Sequence, residues 1–315
     1  MDITDSFRLF SGSSHPYLAQ AVADYLEVPL GEISLSRFAC KESYAVINET
    51  IRGKDVYLLQ TCTQNVNDDL MELFIIMDSL KRCSAASVNV IMPYFGYSRQ
   101  DKMGLPREPI SARLIADLLE AVGVDRVVTV DLHSDQIQGF FSKPVDHLTA
   151  MPLFVDYFLK KNLDDLVVVS PDTGRAKLAK KMADKLGAEL AIMHKNRPAH
   201  NVSEIMSVIG NVKDKTVLLV DDMVDTAGSI TAGLGALRNL GCREDIYLAT
   251  THAVFSGPAV DRLSQAGFKE VLVTDTIPVP LDKQFQSLKV LSIAELLGEV
   301  IQRNVKSLSV SSLFA

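Results

Sequence analysis

Short apolar runs that read as strands alternate with amphipathic helical stretches along most of the chain, and this alternation limits the choice of fold. A run such as Leu166–Ser170 (LVVVS) or Val217–Val220 (VLLV) has no polar side to turn to water, so it belongs in a sheet buried on both faces. Asp55–Thr61, Val88–Pro93, Arg126–Leu132, Ile246–Thr251 and Val271–Thr274 read as strands too, and Glu189–Met193 as a shorter one. Between them, Asp69–Cys83, Ser111–Ala121, Met151–Lys161, Arg175–Leu186 and Ile293–Gln302 read as helices. In Ser111–Ala121, Leu114, Ile115, Leu118 and Leu119 fall on one side. Such alternation predicts an α/β fold of mostly parallel sheets flanked by helices. A length of 315 residues suggests about two domains. The pattern restarts after Lys143-Pro144, so the boundary is expected in a loop near Val145–Met151, giving domains 1–148 and 149–315.

Composition removes several function classes. A net charge of −7 gives no long-range attraction for nucleic acid or an anionic membrane, so neither is expected as a partner. The four cysteines (Cys40, Cys62, Cys83 and Cys242) are dispersed without a C-x-x-C pair, and read as reduced thiols of a cytoplasmic protein. The N-terminal MDITDSFRLF lacks the pattern of a signal peptide, and no apolar run is long enough to span a bilayer.

The chemistry concentrates after the strands, where open α/β sheets bind ligands. In Thr216–Thr231 (TVLLVDDMVDTAGSIT), Asp221 and Asp222 are expected where the strand ends. The small, hydroxylated turn Asp225-Thr226-Ala227-Gly228-Ser229 then opens a helix carrying Ile230, Leu234, Leu237 and Leu240. Such a turn offers backbone N–H groups and hydroxyls to an anion, although alone it also suits an ordinary capped helix. Two carboxylates for hydroxyls beside a phosphate-sized nest favour a sugar phosphate. A second candidate nest, Pro171-Asp172-Thr173-Gly174-Arg175, follows Leu166–Ser170, with Asp172 either a cap or a ligand for magnesium. His194-Lys195-Asn196-Arg197-Pro198-Ala199-His200-Asn201 is a basic loop, either solvated or able to close over a phosphoryl group. In Tyr94–Lys102, Arg99 and Lys102 suit a nucleotide as well as a surface turn. His133, in Asp131-Leu132-His133, is either structural or a ligand for a metal or phosphate. There is no G-x-x-x-x-G-K-[ST], which excludes a Walker-type kinase.

The D-D…D-T-A-G-S-I-T stretch resembles the ribose-phosphate motif of phosphoribosyltransferases, and its form is most similar to that of the ribose-phosphate pyrophosphokinases (phosphoribosyl pyrophosphate synthetases). The likeness extends nearly end to end. It takes in Phe10-Ser11-Gly12, Val66–Leu73, Pro93–Lys102, Arg107–Ile110, Val130–His133, Asp135–Phe141 with Val145–Leu148, Ser256–Ala259 and Ser309–Phe314. The resemblance implies two phosphoribosyltransferase-like domains, the first on the ATP side with oligomer contacts and the second holding the ribose 5-phosphate and diphosphate loops. It implies transfer of the β,γ-diphosphoryl group of ATP to the C1 hydroxyl of ribose 5-phosphate, with Mg2+, giving phosphoribosyl pyrophosphate and AMP for nucleotide biosynthesis. A non-catalytic regulatory member and a phosphoribosyltransferase are the alternative readings.

By the same resemblance, Lys195 and Arg197 are catalytic, and Phe38, Cys40, Lys41, Glu42, Arg99, Gln100 and His133 bind ATP. Asp221, Asp222 and Asp225–Ser229 bind ribose 5-phosphate, Asp172, Thr173 and Gly174 form the diphosphate loop, and His133 and Asp172 hold the metal. Thr50, Arg52, Ser84, Ser309 and Ser311 match a regulatory site for phosphate and ADP, and a homohexamer built from dimers is expected. Three departures stand out. Cys40 and Lys41 replace an adenine-reading Asp or Asn and a glycine, Thr173 and Arg175 stand in a D-H-G-G pattern, and Ala199 and His200 follow Pro198 where a further arginine is usual.

Overall fold

The computed structural model describes residues 6–196 and 205–313. By their internal contacts they form two compact units. The first extends to Thr149 and also takes in Thr276–Pro278 and the chain from Ser292 onward; the second is Ala150–Asp275 with Val279–Leu291.

In chain order the first unit runs β1 (Phe7–Ser11), α1 (Pro16–Leu26), β2 (Ile33–Arg37), β3 (Ser43–Ile47), β4 (Asp55–Leu59), α2 (Val66–Arg82), β5 (Ser87–Ile91), α3 (Ser111–Val122), β6 (Arg126–Val130) and β7 (Val145–Leu148). Five of these strands make one parallel sheet in the order β1-β4-β5-β6-β7, while β2 and β3 pair as a separate antiparallel hairpin. Val56, Leu58, Val88, Val90, Val127 and Val130 of the central strands are fully buried, which is what continuous apolar runs in a covered parallel sheet require. Expected boundaries hold closely for β5, α3 and β6.

One expectation is corrected. Val145–Leu148 is no loop: it is β7, in register with Val127–Val130 of β6. Its sequence, VDHL, mixes polar and apolar residues because it is the edge strand, so it lacks the apolar run that marked its neighbours.

The second unit runs α4 (Met151–Lys161), β8 (Leu166–Ser170), α5 (Ala176–Leu186), β9 (Glu189–Asn196), β10 (Ile205–Ile209), β11 (Thr216–Val224), α6 (Gly228–Asn239), β12 (Ile246–Ala253), α7 (Ala259–Gln265), β13 (Glu270–Thr274) and β14 (Leu288–Leu291). Its seven-stranded sheet has the order β10-β9-β8-β11-β12-β13-β14, parallel except where β10 turns back along β9. All eight residues of β12 are buried, as befits a central strand. α5 buries Ala179, Met182 and Ala183 at helical spacing and stops at Gly187, whose φ of +62° is the left-handed conformation that ends helices.

The chain then returns to the first unit as α8 (Ala294–Val305), which packs on α1. No helix of the described residues is long and apolar enough to cross a membrane.

Candidate active site

Three of the sequence motifs leave the second sheet from adjacent parallel strands. β9 leads into 197–204, β8 into Pro171–Gly174 and β11 into Asp225–Ala227, and because the three are adjacent and parallel their exits point to the same end of the sheet, β9 and β11 running on past the end of β8. Lys195 is part of β9, its backbone paired opposite Met206 of β10. Arg197, together with Pro198–Asn201, lies outside the described residues.

Asp221 and Asp222 do not sit at the end of their strand, as expected, but within it. β11 continues to Val224 because β12 goes on pairing alongside it, Asp221 with Thr250 and Val224 with Ala253. On the other side the pairing with β8 stops at Leu219. The carboxylates thus lie where one flank of β11 has lost its strand partner and the loop after β8 begins.

Asp222 is almost wholly buried and Asp221 about one-fifth exposed at its side chain. One guanidinium serves both: Arg175 Nη2 donates to Asp222 Oδ2 at 2.8 Å, and its Nε lies 3.7 Å from Asp221 Oδ1. The Asp222 N–H donates to Asp221 Oδ1 at 2.8 Å. Burial, reinforced by the Asp222 charge, holds the Asp221 carboxyl well above the usual carboxylate range.

The turn after β11 ends at Ala227, which takes a left-handed φ of +59° and occupies the cap position of α6. Alanine has no side-chain acceptor, so the first N–H groups of this helix are not satisfied by their own cap. Ile230, Leu234 and Leu237 anchor α6 in the core as expected; Leu240 does not join them, being past the last helical residue and half exposed. Arg262 of α7 donates from Nη1 to the Thr226 carbonyl at 2.9 Å and so props the turn. This contact bridges 36 residues, and no local pattern could have pointed to it.

After β8, Asp172, Thr173 and Gly174 are exposed. Asp172 Oδ1 accepts the Arg175 N–H at 3.0 Å, and Ser170 Oγ donates to the Asp172 carbonyl at 2.6 Å. Asp172 is therefore not the helix cap, which is Arg175, but braces the loop by accepting from that residue's N–H, and its exposure suits it to a ligand. Among the described residues no three His, Cys, Asp or Glu side chains gather as a metal site. Magnesium often takes only one or two protein carboxylates and completes its shell with phosphate and water oxygens, so an exposed Asp172 fits that chemistry.

In the first unit, Phe38, Cys40, Lys41 and Glu42 form the exposed tip between β2 and β3. Phe38 N–H donates to the Glu42 carbonyl at 2.9 Å, Lys41 N–H to the Phe38 carbonyl at 2.8 Å, and the Phe38 ring lies 5.3 Å from that of Tyr44. Arg99 and Gln100 lie in the loop after β5, exposed. The Gln100 carbonyl accepts from Ala112 N–H, and its side-chain oxygen accepts from Ser111 Oγ, tying the loop to the start of α3. His133 follows β6, the strand next to β5, and is half-buried. Its loop is held by His147 of β7, whose Nε2 accepts the Leu132 N–H at 2.8 Å. Burial lowers the His147 pKa, against the opposing pull of Asp131 and Asp135, which favours the neutral ring needed as acceptor.

The regulatory candidates fall into two groups, both in the first unit. Arg52 is exposed in the turn before β4, next to Gly53, whose N–H donates to the Ser84 carbonyl at 2.9 Å; Thr50 is exposed nearby in sequence. Ser309 and Ser311 share a hydroxyl contact of 2.7 Å, and the Ser309 carbonyl accepts from Arg303 Nη1 of α8.

Comparison with known proteins gives these loops a context. Residues 7–123 match the profile of the N-terminal domain of ribose phosphate pyrophosphokinase, and residues 195–315 that of the phosphoribosyl synthetase-associated domain. The chain is 52% identical over 308 residues to a ribose-phosphate pyrophosphokinase of Nostoc sp., covering 98% of this chain and 93% of that protein. It is 46% identical over 310 residues to that of Bacillus subtilis, covering 98% of each. The crystal structure of phosphoribosylpyrophosphate synthetase from Mycobacterium smegmatis superimposes with a TM-score of 0.92 at 46% identity, covering 96% of this chain and 99% of that one. With such likeness along nearly the whole of both partners, the chain belongs to the ribose-phosphate pyrophosphokinase family.

Proposed function

We propose that the protein is a ribose-phosphate diphosphokinase, which converts ATP and ribose 5-phosphate to phosphoribosyl pyrophosphate and AMP. The observation that supports this reading is that β9, which includes Lys195, β8, which the Asp172 loop follows, and β11, which includes Asp221 and Asp222 and is followed by the Asp225–Ser229 turn, are neighbours in one sheet. In the reaction the C1 hydroxyl oxygen of ribose attacks the β-phosphorus. The bond from that phosphorus to the α,β-bridging oxygen breaks, AMP leaves with the oxygen, and the hydroxyl proton is released.

The N–H groups at the start of α6, with Thr226 and Ser229, are read as the cradle of the 5-phosphate, since a helix N-terminus favours an anion. Asp221 and Asp222 accept hydrogen bonds from the ribose hydroxyls. Asp172, Thr173 and Gly174 face the diphosphoryl group. Lys195 and Arg197 supply positive charge as it builds on the transferring group, which is where phosphoryl transfer gains most from a protein. Arg99 and Gln100 hold the ATP phosphates and the hairpin tip Phe38–Glu42 meets the base. Asp172 and His133 are the side chains proposed for Mg2+, which when bound would neutralise phosphate charge.

Cytoplasmic action, a homohexamer built from dimers, and phosphate and ADP as effectors complete the reading. A light-scattering mass short of a hexamer would remove the assembly from it. Incubation with ribose 5-phosphate, ATP and magnesium is expected to release AMP in step with phosphoribosyl pyrophosphate. Release of ADP, or no nucleotide product from the folded protein, would refute the proposed activity.

A further inference from the structure

Arg175 follows directly on the diphosphate loop Asp172-Thr173-Gly174. Its side chain is turned inward, only 17% exposed, and it makes the contacts at 2.8 and 3.7 Å to Asp222 and Asp221. Its backbone N–H is held by Asp172 at 3.0 Å, and Asp172 is itself held by Ser170. The residue is thus fixed at both ends, by the main chain to the diphosphate loop and by the guanidinium to the sugar carboxylates. It occupies the flank of β11 that β8 leaves unpaired beyond Leu219.

We propose that Arg175 is a positioning residue for ribose 5-phosphate: it orients Asp222, and through it Asp221, to receive the sugar hydroxyls, and it balances their charge against the incoming phosphate. The inference rests on the assignment of Asp221–Ser229 to ribose 5-phosphate. Three physical points support it. Two adjacent carboxylates would repel a phosphate dianion, and a guanidinium beside both offsets that repulsion. A carboxylate has about four acceptor directions, and the 2.8 Å bond from Arg175 takes up one of them at Asp222 and fixes the direction of the rest. A buried carboxylate that loses a guanidinium contact settles on its remaining neighbours, and would lose the orientation the sugar needs. The planar fork matters as well as the charge, because lysine offers a point charge and cannot address two carboxylates in one plane.

The test compares wild type with Arg175→Met and Arg175→Lys. Calorimetry gives ribose 5-phosphate binding without ATP, steady-state kinetics gives the two Michaelis constants and kcat, and thermal melting confirms folding. Arg175→Met is expected to weaken ribose 5-phosphate binding about tenfold and to raise its KM in parallel, leaving kcat and the KM for ATP within about twofold. Arg175→Lys is expected to recover part of the loss, settling about threefold below wild type. Should the methionine variant fail to fold, the lysine variant carries the test alone. Unchanged ribose 5-phosphate affinity in a folded variant, or a fall in kcat with that affinity kept, overturns the role given to Arg175 and leaves the proposed reaction standing. Wild type that binds ribose 5-phosphate but releases no AMP overturns the reaction and not the role. Wild type that does not bind it overturns both.

Discussion

Lys41 shows how a single residue can carry two constraints. Its φ of +73° is in the left-handed region, which costs a residue with a Cβ about 1–2 kcal/mol and costs glycine almost nothing. The resemblance puts a glycine at this position, and the backbone of the β2–β3 tip accounts for that: the chain keeps the glycine conformation with a lysine in it. Its neighbour Cys40 offers a probe of the same tip. Cys40 is exposed, whereas Cys62 is buried and its thiol is pushed up to about 12, too high to ionise near neutral pH. Maleimide at pH 7.5 is therefore expected to label Cys40 promptly and Cys62 only after unfolding. If the tip meets the base, ATP will slow the labelling of Cys40 several-fold. Peptide mapping of the labelled protein with and without ATP checks both points, and a rate at Cys40 indifferent to ATP would remove the tip from the nucleotide site. Identity alone pointed to Cys40 as a departure; its exposure and the thermodynamic silence of Cys62 depend on packing that no local pattern encodes.

Among the elements, fully buried strands were the most legible. Leu166–Ser170 came out residue for residue, because an unbroken apolar run has one stable place in an α/β sheet. The hairpin β2–β3 leaves no signal in the sequence: ISLSR and SYAVI are short and half-exposed, and nothing in them competes with a loop. β11 runs four residues beyond its apolar run: two adjacent aspartates look like a strand terminus, and only the pairing with β12 shows that the strand carries on through them. β9 likewise runs beyond Met193, through the described backbone of Lys195, to Asn196. That extension bears on catalysis. A lysine on a paired strand has its main chain held by the sheet, so Lys195→Ala should leave substrate loops in place and remove one charge. The expected result is a fall in kcat of about a hundredfold or more, with the KM for ribose 5-phosphate changed by less than about threefold, the signature of an interaction made in the transition state. A variant with full turnover and a raised KM would assign Lys195 to substrate binding instead.

At the scale of the whole molecule, the chain's last helix illustrates what an amphipathic pattern leaves open. Ile293–Gln302 announced a helix with one buried face but not what would cover it, and the natural assumption placed it with the strands just before it. It packs instead on α1 of the first unit, with Leu297, Val300 and Ile301 buried. Gly298 permits the approach: a Cβ there would lie 2.2 Å from Tyr25 Cδ1, and the Tyr25 hydroxyl donates to Glu299 at 2.9 Å. This docking gives the tail a fixed origin, and Arg303 of the same helix holds the Ser309 carbonyl, so the Ser309–Ser311 turn is not a frayed end. On the first unit, too, Arg52 projects from a turn tied to Ser84, itself in a left-handed conformation with φ of +64°. Hydroxyls on an anchored turn and an exposed guanidinium are the chemistry an inorganic phosphate or a nucleoside diphosphate would recognise. An effector changes activity only by the difference in its affinity for two states, so a residue that reads the shared phosphate group must act on every effector that uses it. On the proposal that phosphate activates and ADP inhibits, Arg52→Ala is expected to weaken both responses together, each by several-fold in the concentration required, while the rate at saturating substrate and phosphate stays close to wild type. Initial rates over a phosphate series, with and without ADP, measure both responses in one experiment. Loss of one response with the other intact would mean that the two anions use different sites, and retention of both would take Arg52 out of the regulation altogether.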